Sequence, residues 1–297
     1  MATITSLYLC NRTVYAAVGA ANGRGVNVSA LHQTELAEGC LINGMITNET
    51  DLLTGLQEFI ETTGLPTRHV SLVLNSSQFA NRVMNLPVMS ESKRMAMLAR
   101  ELTANVGAME EPLDDYMVLR RDKATRSDVV LATRVEKSVI DSMMHVAQET
   151  RLGVERIDLA LAAQVKLVAL SDELQSKTFL ILQFDGDNLY AGLYVQGQYL
   201  YSTRSRLFHE RGTAESGAEI TQKISGLLQF HAAEKIESPI TDVYMAGCTG
   251  EDLTVCTPGC QGLRLSLDYF PDLPQIHLPR GAHLADCMLT VGNLIQR

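Results

Sequence analysis

The sequence lacks any apolar stretch of the length that a membrane-spanning helix needs, which is about 20 residues. Its first residues contain no basic segment of the kind that opens a signal peptide. Basic residues are also in the minority, because the net charge is -9 and no basic stripe marks a nucleic-acid surface. We therefore expect a cytoplasmic protein without direct membrane insertion and without a nucleic-acid partner.

Recognisable catalytic motifs are missing as well. The sequence contains no G-x-S-x-G nucleophile elbow and no P-loop, and its histidines are scattered. Of its six cysteines, Cys256 and Cys260 are closely spaced, and Cys248 could supply a third metal ligand. A structural zinc site normally requires two such pairs, or one pair with clustered histidines. We predict free thiols in a reducing compartment rather than a metal site, and we assign no catalytic residue.

The sequence does contain enough apolar residues to form sizeable hydrophobic cores. It has 297 residues, of which 46% are hydrophobic and only 20% are charged. This composition argues against disorder, and the length exceeds that of one ordinary domain. Two lobes are therefore expected.

The clearest pattern is a three-stranded meander within residues 178–206. Turn residues at Asp185–Asn188 and at 196–198 separate three segments rich in β-forming residues. A helix over Thr213–Ala233 and a buried strand over Asp242–Ala246 follow, which gives the order β-β-β-α-β. The predicted strands of the meander are Phe179–Leu182, Leu189–Val195 and Tyr199–Ser205.

The same order occurs near the N-terminus. Three predicted strands precede a helix over Asn48–Thr62, with Asn48 as its N-cap and Gly64 at its end. The predicted strands are Thr3–Leu9, Val14–Val18, Gly25–Leu36 and, after the helix, His69–Leu74. Two copies of β-β-β-α-β predict a duplicated, two-lobed α/β fold.

Between the copies lies a segment that belongs to neither. It combines a strand, a helix over Glu91–Val106 with Ser90 as N-cap, and a hairpin, which predicts a small inserted α+β subdomain. We place the first lobe at residues 1–81 and 134–176, the insertion at 82–133 and the second lobe at 177–297. A polar linker is predicted over Leu170–Lys177.

Three helices are predicted around this insertion and at the end of the chain. One spans Lys137–Arg151 and is expected to end with Gly153 at C′. A second, Ala160–Leu170, is apolar over much of its surface and should be buried at the seam of the lobes. The third, His283–Ile295, should pack in the core rather than lie on a membrane surface.

Four short segments, together with the order of elements and the insertion, resemble a known family. The segments are Gly39–Ile46, Arg82–Ser90, Glu110–Leu119 and Leu289–Arg297. They resemble the actin-like ATPase superfamily, and within it the PilM and FtsA branch. The resemblance implies a ribonuclease H-like fold in each lobe. It also implies ATP binding between the lobes and attachment to the cytoplasmic tail of a PilN-like membrane protein in type IV pilus assembly.

The nucleotide loops that the resemblance implies are degenerate. The family's first loop carries Asp, Gly and Lys, whereas residues 7–13 contain none of these. Candidate residues in the other two loops are Asp185, Gly186, Asp187, Asn188, Gly247, Thr249 and Gly250. Turn chemistry alone also accounts for them. We therefore expect no cofactor and no ATP turnover. A divergent ATPase that binds ATP and Mg²⁺ is the alternative, and a sugar or metabolite kinase ranks last.

A partner-binding surface is the remaining functional candidate. In the similar proteins the insertion and the first lobe form a groove for an extended peptide, which places Arg82, Val83, Leu86 and Pro87 along its wall. Pro87 cannot donate a backbone hydrogen bond, as is common in edge strands. The alternative is that this segment only connects two subdomains. The resemblance thus implies a scaffold recruited to the inner face of the membrane in a type IV pilus or a related assembly machine.

Overall fold

We describe a computed structural model of the chain, which covers residues 3–22 and 25–295. The last two residues of the predicted segment Leu289–Arg297 lie outside it. The strands are β1 (Ile4–Leu9), β2 (Thr13–Asn22), β3 (Gly25–Glu35), β4 (Leu41–Ile42), β5 (Met45–Ile46), β6 (Val70–Leu74), β7 (Ala80–Pro87), β8 (Pro112–Asp122), β9 (Ser127–Glu136), β10 (Val154–Leu159), β11 (Phe179–Asp185), β12 (Asn188–Val195), β13 (Gln198–Arg206), β14 (Asp242–Ala246), β15 (Ser266–Tyr269) and β16 (Ile276–His277). The helices are α1 (Glu49–Thr63), α2 (Glu91–Val106), α3 (Lys137–Glu149), α4 (Ala160–Val168), α5 (Asp172–Gln175), α6 (Ala214–Ala233), α7 (Gly250–Gly262) and α8 (Leu284–Leu294).

The sheet of the first lobe is mixed. Its strand order is β10-β6-β1-β2-β3-β16, with β1, β2 and β3 antiparallel and with β6 and β10 parallel to β1. The edge strand β16 comes from far along the chain, and Ile276 pairs with Val26 in parallel register. The C-terminal part of the chain therefore returns to the first lobe.

The second lobe repeats this plan. Its sheet has the order β13-β12-β11-β14-β15, with an antiparallel meander followed by two parallel strands. β11 is buried along its whole length, as its apolar sequence predicts. Each lobe thus contains β-β-β-α-β, and the predicted duplicated α/β fold is confirmed.

The insertion is a three-stranded sheet covered on one face by α2. Its strand order is β7-β9-β8. The side chains of Leu86, Leu98 and Val130 form a small core between the sheet and the helix. Two buried ion pairs reinforce it, from Arg94 to Asp128 at 2.9 Å and from Arg134 to Asp114 at 2.7 Å. The predicted α+β insertion is confirmed.

Helices α4 and α8 lie at the seam of the two lobes. α4 is buried over most of its length, as predicted for Ala160–Leu170, and it packs on α8. A Cβ atom on Gly292 of α8 would lie 2.4 Å from the Ala163 carbonyl oxygen, so the two helix backbones touch. α8 also contacts β1 and β2, and its apolar residues join a core to which both lobes contribute.

Several predicted helix ends are confirmed and others differ. Asn48 caps α1 by accepting from the Asp51 N–H, and Gly64 ends that helix in the left-handed region. Ser90 stands at the N-cap of α2, but its side chain makes no capping bond. At the end of α3 the left-handed residue is Arg151 and not Gly153.

Two segments are more regular than the sequence predicted. The presumed linker over Leu170–Lys177 contains α5, which Ser171 caps through the Leu174 N–H. Residues 250–262 form α7, although Pro258 and three glycines fall within it and no helix was predicted there. Two of those glycines, Gly250 and Gly262, are its end residues, where a glycine disturbs a helix least. Cys256 and Cys260 are buried in the core of the second lobe on this helix.

Candidate functional site

The first hairpin turn of each lobe borders a cleft between the lobes. In the first lobe, the Cys10 N–H donates to the Thr13 carbonyl at 3.0 Å, which leaves Asn11 and Arg12 as the tip of a tight turn. The Asn11 side chain accepts from the Asn43 N–H at 2.8 Å. This turn is short and contains neither glycine nor lysine, in agreement with the sequence.

The corresponding turn of the second lobe is built from the candidate residues themselves. Asp185 pairs with Asn188 at the first turn of the meander, between β11 and β12, and Gly186 and Asp187 form the tip. Gly186 has a φ of 57°, a conformation that glycine adopts without strain. The side chains of Asp185 and Asn188 are buried. Both are residue types that favour tight turns, so turn formation alone explains part of this motif.

A cavity of about 390 Å³ lies between the two turns. It is lined by the ends of the two hairpins, the end of β3, the loops after β13 and β14, and the start of α8. Its charged lining residues are Arg12, Glu35, Asp185, Asp187, Arg211 and Asp286. Among the described lining residues, carboxylates outnumber guanidinium groups and none is a lysine.

Asp185 is engaged across the cleft by two residues of the first lobe. The Tyr8 hydroxyl donates to its Oδ2 at 2.7 Å, and the Asn75 side-chain amide donates to the same oxygen at 3.1 Å. The amide lies 3.1 Å from the Tyr8 oxygen as well. Burial first, and the charge of Asp185 second, raise the pKa of Tyr8 well above its ordinary value. Tyr8 therefore remains a protonated donor.

The thiol of Cys10 lies beside the same carboxylate. Burial first and the charge of Asp185 second raise its pKa to about 12. A thiol that stays protonated near neutral pH is a poor nucleophile and a poor metal ligand. Cys10 therefore contributes packing and a weak donor to this site.

Arg211 closes the second lobe's side of the cleft. Its guanidinium donates to the Gly247 carbonyl at 3.2 Å and to the Gly186 carbonyl at 3.4 Å, and it stacks 4.6 Å above the Phe184 ring. It also forms an ion pair with the fully buried Asp252. The two glycine loops are thus joined by an internal cation that contacts their carbonyl oxygens.

Asp252 occupies the N-terminal end of α7. It forms a capping box with Thr249, whose N–H donates to Oδ2 at 2.8 Å. Burial favours the neutral acid, but the Arg211 guanidinium and the Thr249 N–H hold its pKa below the ordinary value. A helix N-terminus is a natural anion site, and here a side-chain carboxylate already lies there.

The predicted nucleotide residues are only partly brought together. Asp185, Gly186, Asp187 and Gly247 line the cavity, whereas Asn188, Thr249 and Gly250 do not. Gly247 has a φ of 64°, and a Cβ atom there would lie 2.5 Å from the Phe184 carbonyl oxygen. This glycine is required for the close approach of two loops.

These residues fit Mg²⁺-ATP poorly. A phosphate cradle presents backbone N–H groups and a cation, and a magnesium site presents carboxylate oxygens that water can reach. Here Oδ2 of Asp185 is taken by two side-chain donors, and Oδ1 is buried. The carbonyls of both glycine loops face Arg211.

Sequence reasoning missed three residues of this site. Tyr8 stands in an apolar strand and gives no local signal. Asn75 begins the polar sequence Asn-Ser-Ser-Gln directly after a buried strand, and strand ends of this kind often carry functional groups. Arg211 comes from a loop whose position only the tertiary structure determines.

The candidate partner residues lie on β7, at the edge of the small sheet. Arg82 and Pro87 are exposed and Val83 is half-buried. Leu86 is buried against α2, so it supports the strand from the inner face of the sheet.

Comparison with known proteins shows which solved structures this fold resembles. No protein-family model and no curated protein matches the sequence. Solved structures do match, among them the PilM–PilN type IV pilus biogenesis complex, with a TM-score of 0.80 at 14% identity over 98% of this chain and 97% of the other. A Bacteroides thetaiotaomicron protein with an actin-like ATPase fold and unknown function gives a TM-score of 0.56 at 13% identity over 90% of each chain.

A third match is the ethanolamine utilization protein EutJ from Carboxydothermus hydrogenoformans, with a TM-score of 0.53 at 6% identity over 99% of this chain and 89% of the other. The chain therefore has the actin-like ATPase fold. Its fold is similar to that of the PilM–PilN structure over nearly the full length of both chains.

Two further properties concern membranes and metals. In the part of the chain that the structure describes, no helix is long and apolar enough to cross a membrane. Across the same residues, no group of three or more histidine, cysteine or acidic side chains is arranged to hold a metal ion.

Proposed function

We propose that this chain is a cytoplasmic, PilM-like scaffold that binds the cytoplasmic tail of a PilN-like membrane protein in a type IV pilus or a related assembly machine. The observation that carries the proposal is the position of β7 at the edge of the inserted sheet. The likeness in fold to the PilM–PilN structure supports it. Binding of this kind would recruit the chain to the inner face of the membrane.

An edge strand offers backbone groups to an extended peptide. β7 pairs with β9 on one side, and a peptide added on the other side would become a fourth strand. Pro87, at the end of β7, has no N–H to donate, which limits how far such pairing extends. The edge is thus open to a short peptide and protected against longer association.

Apolar side chains beside this edge would provide specificity. Strand alternation directs Met84 and Leu86 toward α2, so Val83 lies on the opposite face of the sheet. Met117 and Leu119 of β8 share that face and are half-buried. Alternate side chains of an added strand would contact this apolar surface, and exposed Arg82 would meet acidic groups at its margin.

The test uses a synthetic peptide copying the cytoplasmic tail of the PilN-like protein from the source organism, with binding followed by fluorescence anisotropy. We expect Val83→Asp to weaken binding at least about tenfold, because a charge would be buried under the peptide. The matched control is Met144→Asp, which changes a partly exposed methionine on α3. Equal affinity of both variants and the wild type would refute the proposed surface.

We further propose that the cleft does not turn over ATP. The support is the pairing of Asp185 with Tyr8 and Asn75, together with the contacts of Arg211 with the glycine loops. We expect no rise in melting temperature with millimolar Mg²⁺-ATP, whereas a ligand at 100 times its Kd would add about 2.7 kcal/mol of stability. A clear rise, together with phosphate release that Asp185→Ala abolishes, would instead establish the divergent ATPase.

A further inference from the structure

We propose that the two lobes are held closed by the chain's own side chains, so that closure requires no bound ligand. The residues responsible are Tyr8, Asn75 and Asp185, which we call the interlobe cluster. Tyr8 lies on β1 and Asn75 directly follows the neighbouring strand β6 of the first lobe, and Asp185 ends β11 of the second. This proposal concerns the conformation of the cleft and is independent of the partner.

The interlobe cluster is a closed triangle of hydrogen bonds. Its three sides join the Tyr8 hydroxyl, the Asn75 amide and one oxygen of Asp185, at 2.7, 3.1 and 3.1 Å. All three side chains are buried. The two bonds to Asp185 cross between the lobes and are lost when the lobes separate, whereas the contact between Tyr8 and Asn75 lies within the first lobe.

The equilibrium between closed and open lobes depends on the groups that donate hydrogen bonds to the Asp185 carboxylate. Closure takes Asp185 out of water, and that loss is compensated only by hydrogen bonds that the protein supplies. Its other oxygen, Oδ1, is buried and has no hydrogen-bonding partner within the described residues. Removal of a single donor from Oδ2 would leave the closed state undersatisfied, and hydration of the carboxylate would then favour opening.

The surrounding contacts place the cluster where it can control the cleft. α4 and α8 form an apolar seam between the lobes, and residues 286–290 of α8 line the same cavity as Tyr8 and Asp185. The seam also contains polar contacts, because Asn293 of α8 donates to the Ser6 hydroxyl at 2.9 Å and accepts from the Ser71 hydroxyl at 3.0 Å. The contact from Arg204 to the side-chain oxygen of Asn43 at 3.1 Å is exposed to solvent and therefore weaker. Asn75 also begins the connection that leads to β7, so closure fixes the base of that strand.

Asn75→Asp tests the proposal with almost no change in volume. It replaces a donor to Asp185 by a second carboxylate, and two like charges at this distance repel each other. We expect a larger radius of gyration by small-angle X-ray scattering. We also expect amide hydrogen exchange at least about tenfold faster in residues 7–10, 74–79 and 183–188.

Tyr8→Phe is the second variant, because it removes one hydroxyl from the cluster and retains the ring. It should accelerate exchange in the same three segments by a smaller factor, about three- to tenfold. The matched control is Tyr199→Phe, which loses a hydrogen bond to Ser202 within the second lobe. If amide hydrogen exchange in all three segments is equally fast in the Tyr8→Phe and Tyr199→Phe variants, the interlobe cluster does not hold the lobes closed.

Discussion

The Tyr8 hydroxyl donates a 2.7 Å hydrogen bond to the carboxylate of Asp185, a residue 177 positions away in the other lobe. Each residue lies beside the first hairpin turn of its lobe, where that turn borders the cleft. Here the Tyr8 hydroxyl and the Asp185 carboxylate face each other, so the carboxylate is occupied by a hydrogen bond within the protein. A cavity remains beside them, and Arg211, which lines it, forms an ion pair with Asp252. This arrangement is the physical basis of our proposal that the cleft does not turn over ATP.

The inserted subdomain should depend strongly on Arg134. Its side chain is 2% exposed, makes two bonds to Asp114 at 2.7 and 2.8 Å, and donates to the Ala99 carbonyl at 3.0 Å. Arg134→Met leaves the carboxylate buried without its cation, so we expect a loss of about 3–5 kcal/mol in the free energy of unfolding of this subdomain. Urea unfolding followed by circular dichroism would measure it.

The control for Arg134 is Arg100, which forms an exposed ion pair with Glu101 at 3.6 Å. Arg100→Met should change the free energy of unfolding by less than about 0.5 kcal/mol. The double variant Arg134→Met, Asp114→Leu should recover much of the lost stability, since it removes the unpaired carboxylate. Comparable losses for Arg100→Met and Arg134→Met would contradict the assignment.

Acid stability should depend on Asp252. Its pKa in the folded protein is lowered, so its contribution is complete above the unfolded value of about 3.9 and is lost as pH falls through the folded pKa. Asp252→Asn should therefore flatten the dependence of unfolding free energy on pH below about 4. The control is Thr213→Ala, which removes the N-cap hydroxyl of α6 but no titrating group, and should lower stability by about 1 kcal/mol at every pH. Parallel curves for Asp252→Asn and the wild type below pH 4 would show that this carboxylate does not carry the effect.

The thiols of Cys256 and Cys260 should be inert in the native protein. Burial is the first cause that raises their pKa values, to about 12 and about 11 respectively. Alkylation at pH 8 should therefore leave both unmodified until urea unfolds the chain and restores an ordinary thiol pKa of about 8.5. Peptide mass mapping gives the readout. Rapid native labelling, or stoichiometric zinc in the purified protein, would contradict this prediction.

Local chemistry was enough to predict most of the fold. The turn residues at Asp185–Asn188, the Asn48 cap and the apolar run of β11 each determine their own element, so the doubled order could be found from sequence. α7 could not, because Pro258 and Gly259 argue against a helix there. Gly259 packs so closely on Thr221 of α6 that a Cβ atom would lie 1.9 Å from its hydroxyl oxygen, and tertiary packing overrides propensity at this point.

The site was harder to predict than the fold, because its contacts join distant parts of the chain. Asp185 was identified from its turn, but its partner Asn75 is 110 positions away, and nothing local links them. β16 is only two residues long and pairs with β3 through the folding of the whole chain. The spatial positions of such residues are determined by the topology of the whole chain, and neither periodicity nor turn chemistry predicts them.

The contact between α4 and α8 gives the last prediction. Gly292 lies where the two helix backbones meet, and an added Cβ atom would lie 2.4 Å from the Ala163 carbonyl oxygen and 3.1 Å from the Ala163 side chain. Backbone cannot yield as a flexible side chain does, so Gly292→Ala must push the helices apart. We expect a loss of about 1–3 kcal/mol in the free energy of unfolding, as overpacked cores generally show.

Gly226 is the matched control for that helix contact. It lies in the interior of α6, is exposed, and has nothing within 4 Å of the position a Cβ atom would take. Gly226→Ala should therefore raise the free energy of unfolding by about 0.5–1 kcal/mol, because alanine loses less backbone entropy than glycine in a helix. The same substitution thus has opposite signs at the two positions. Stabilisation by both variants in urea titrations would mean that α4 and α8 do not touch at Gly292, and the seam between the lobes would have to be placed elsewhere.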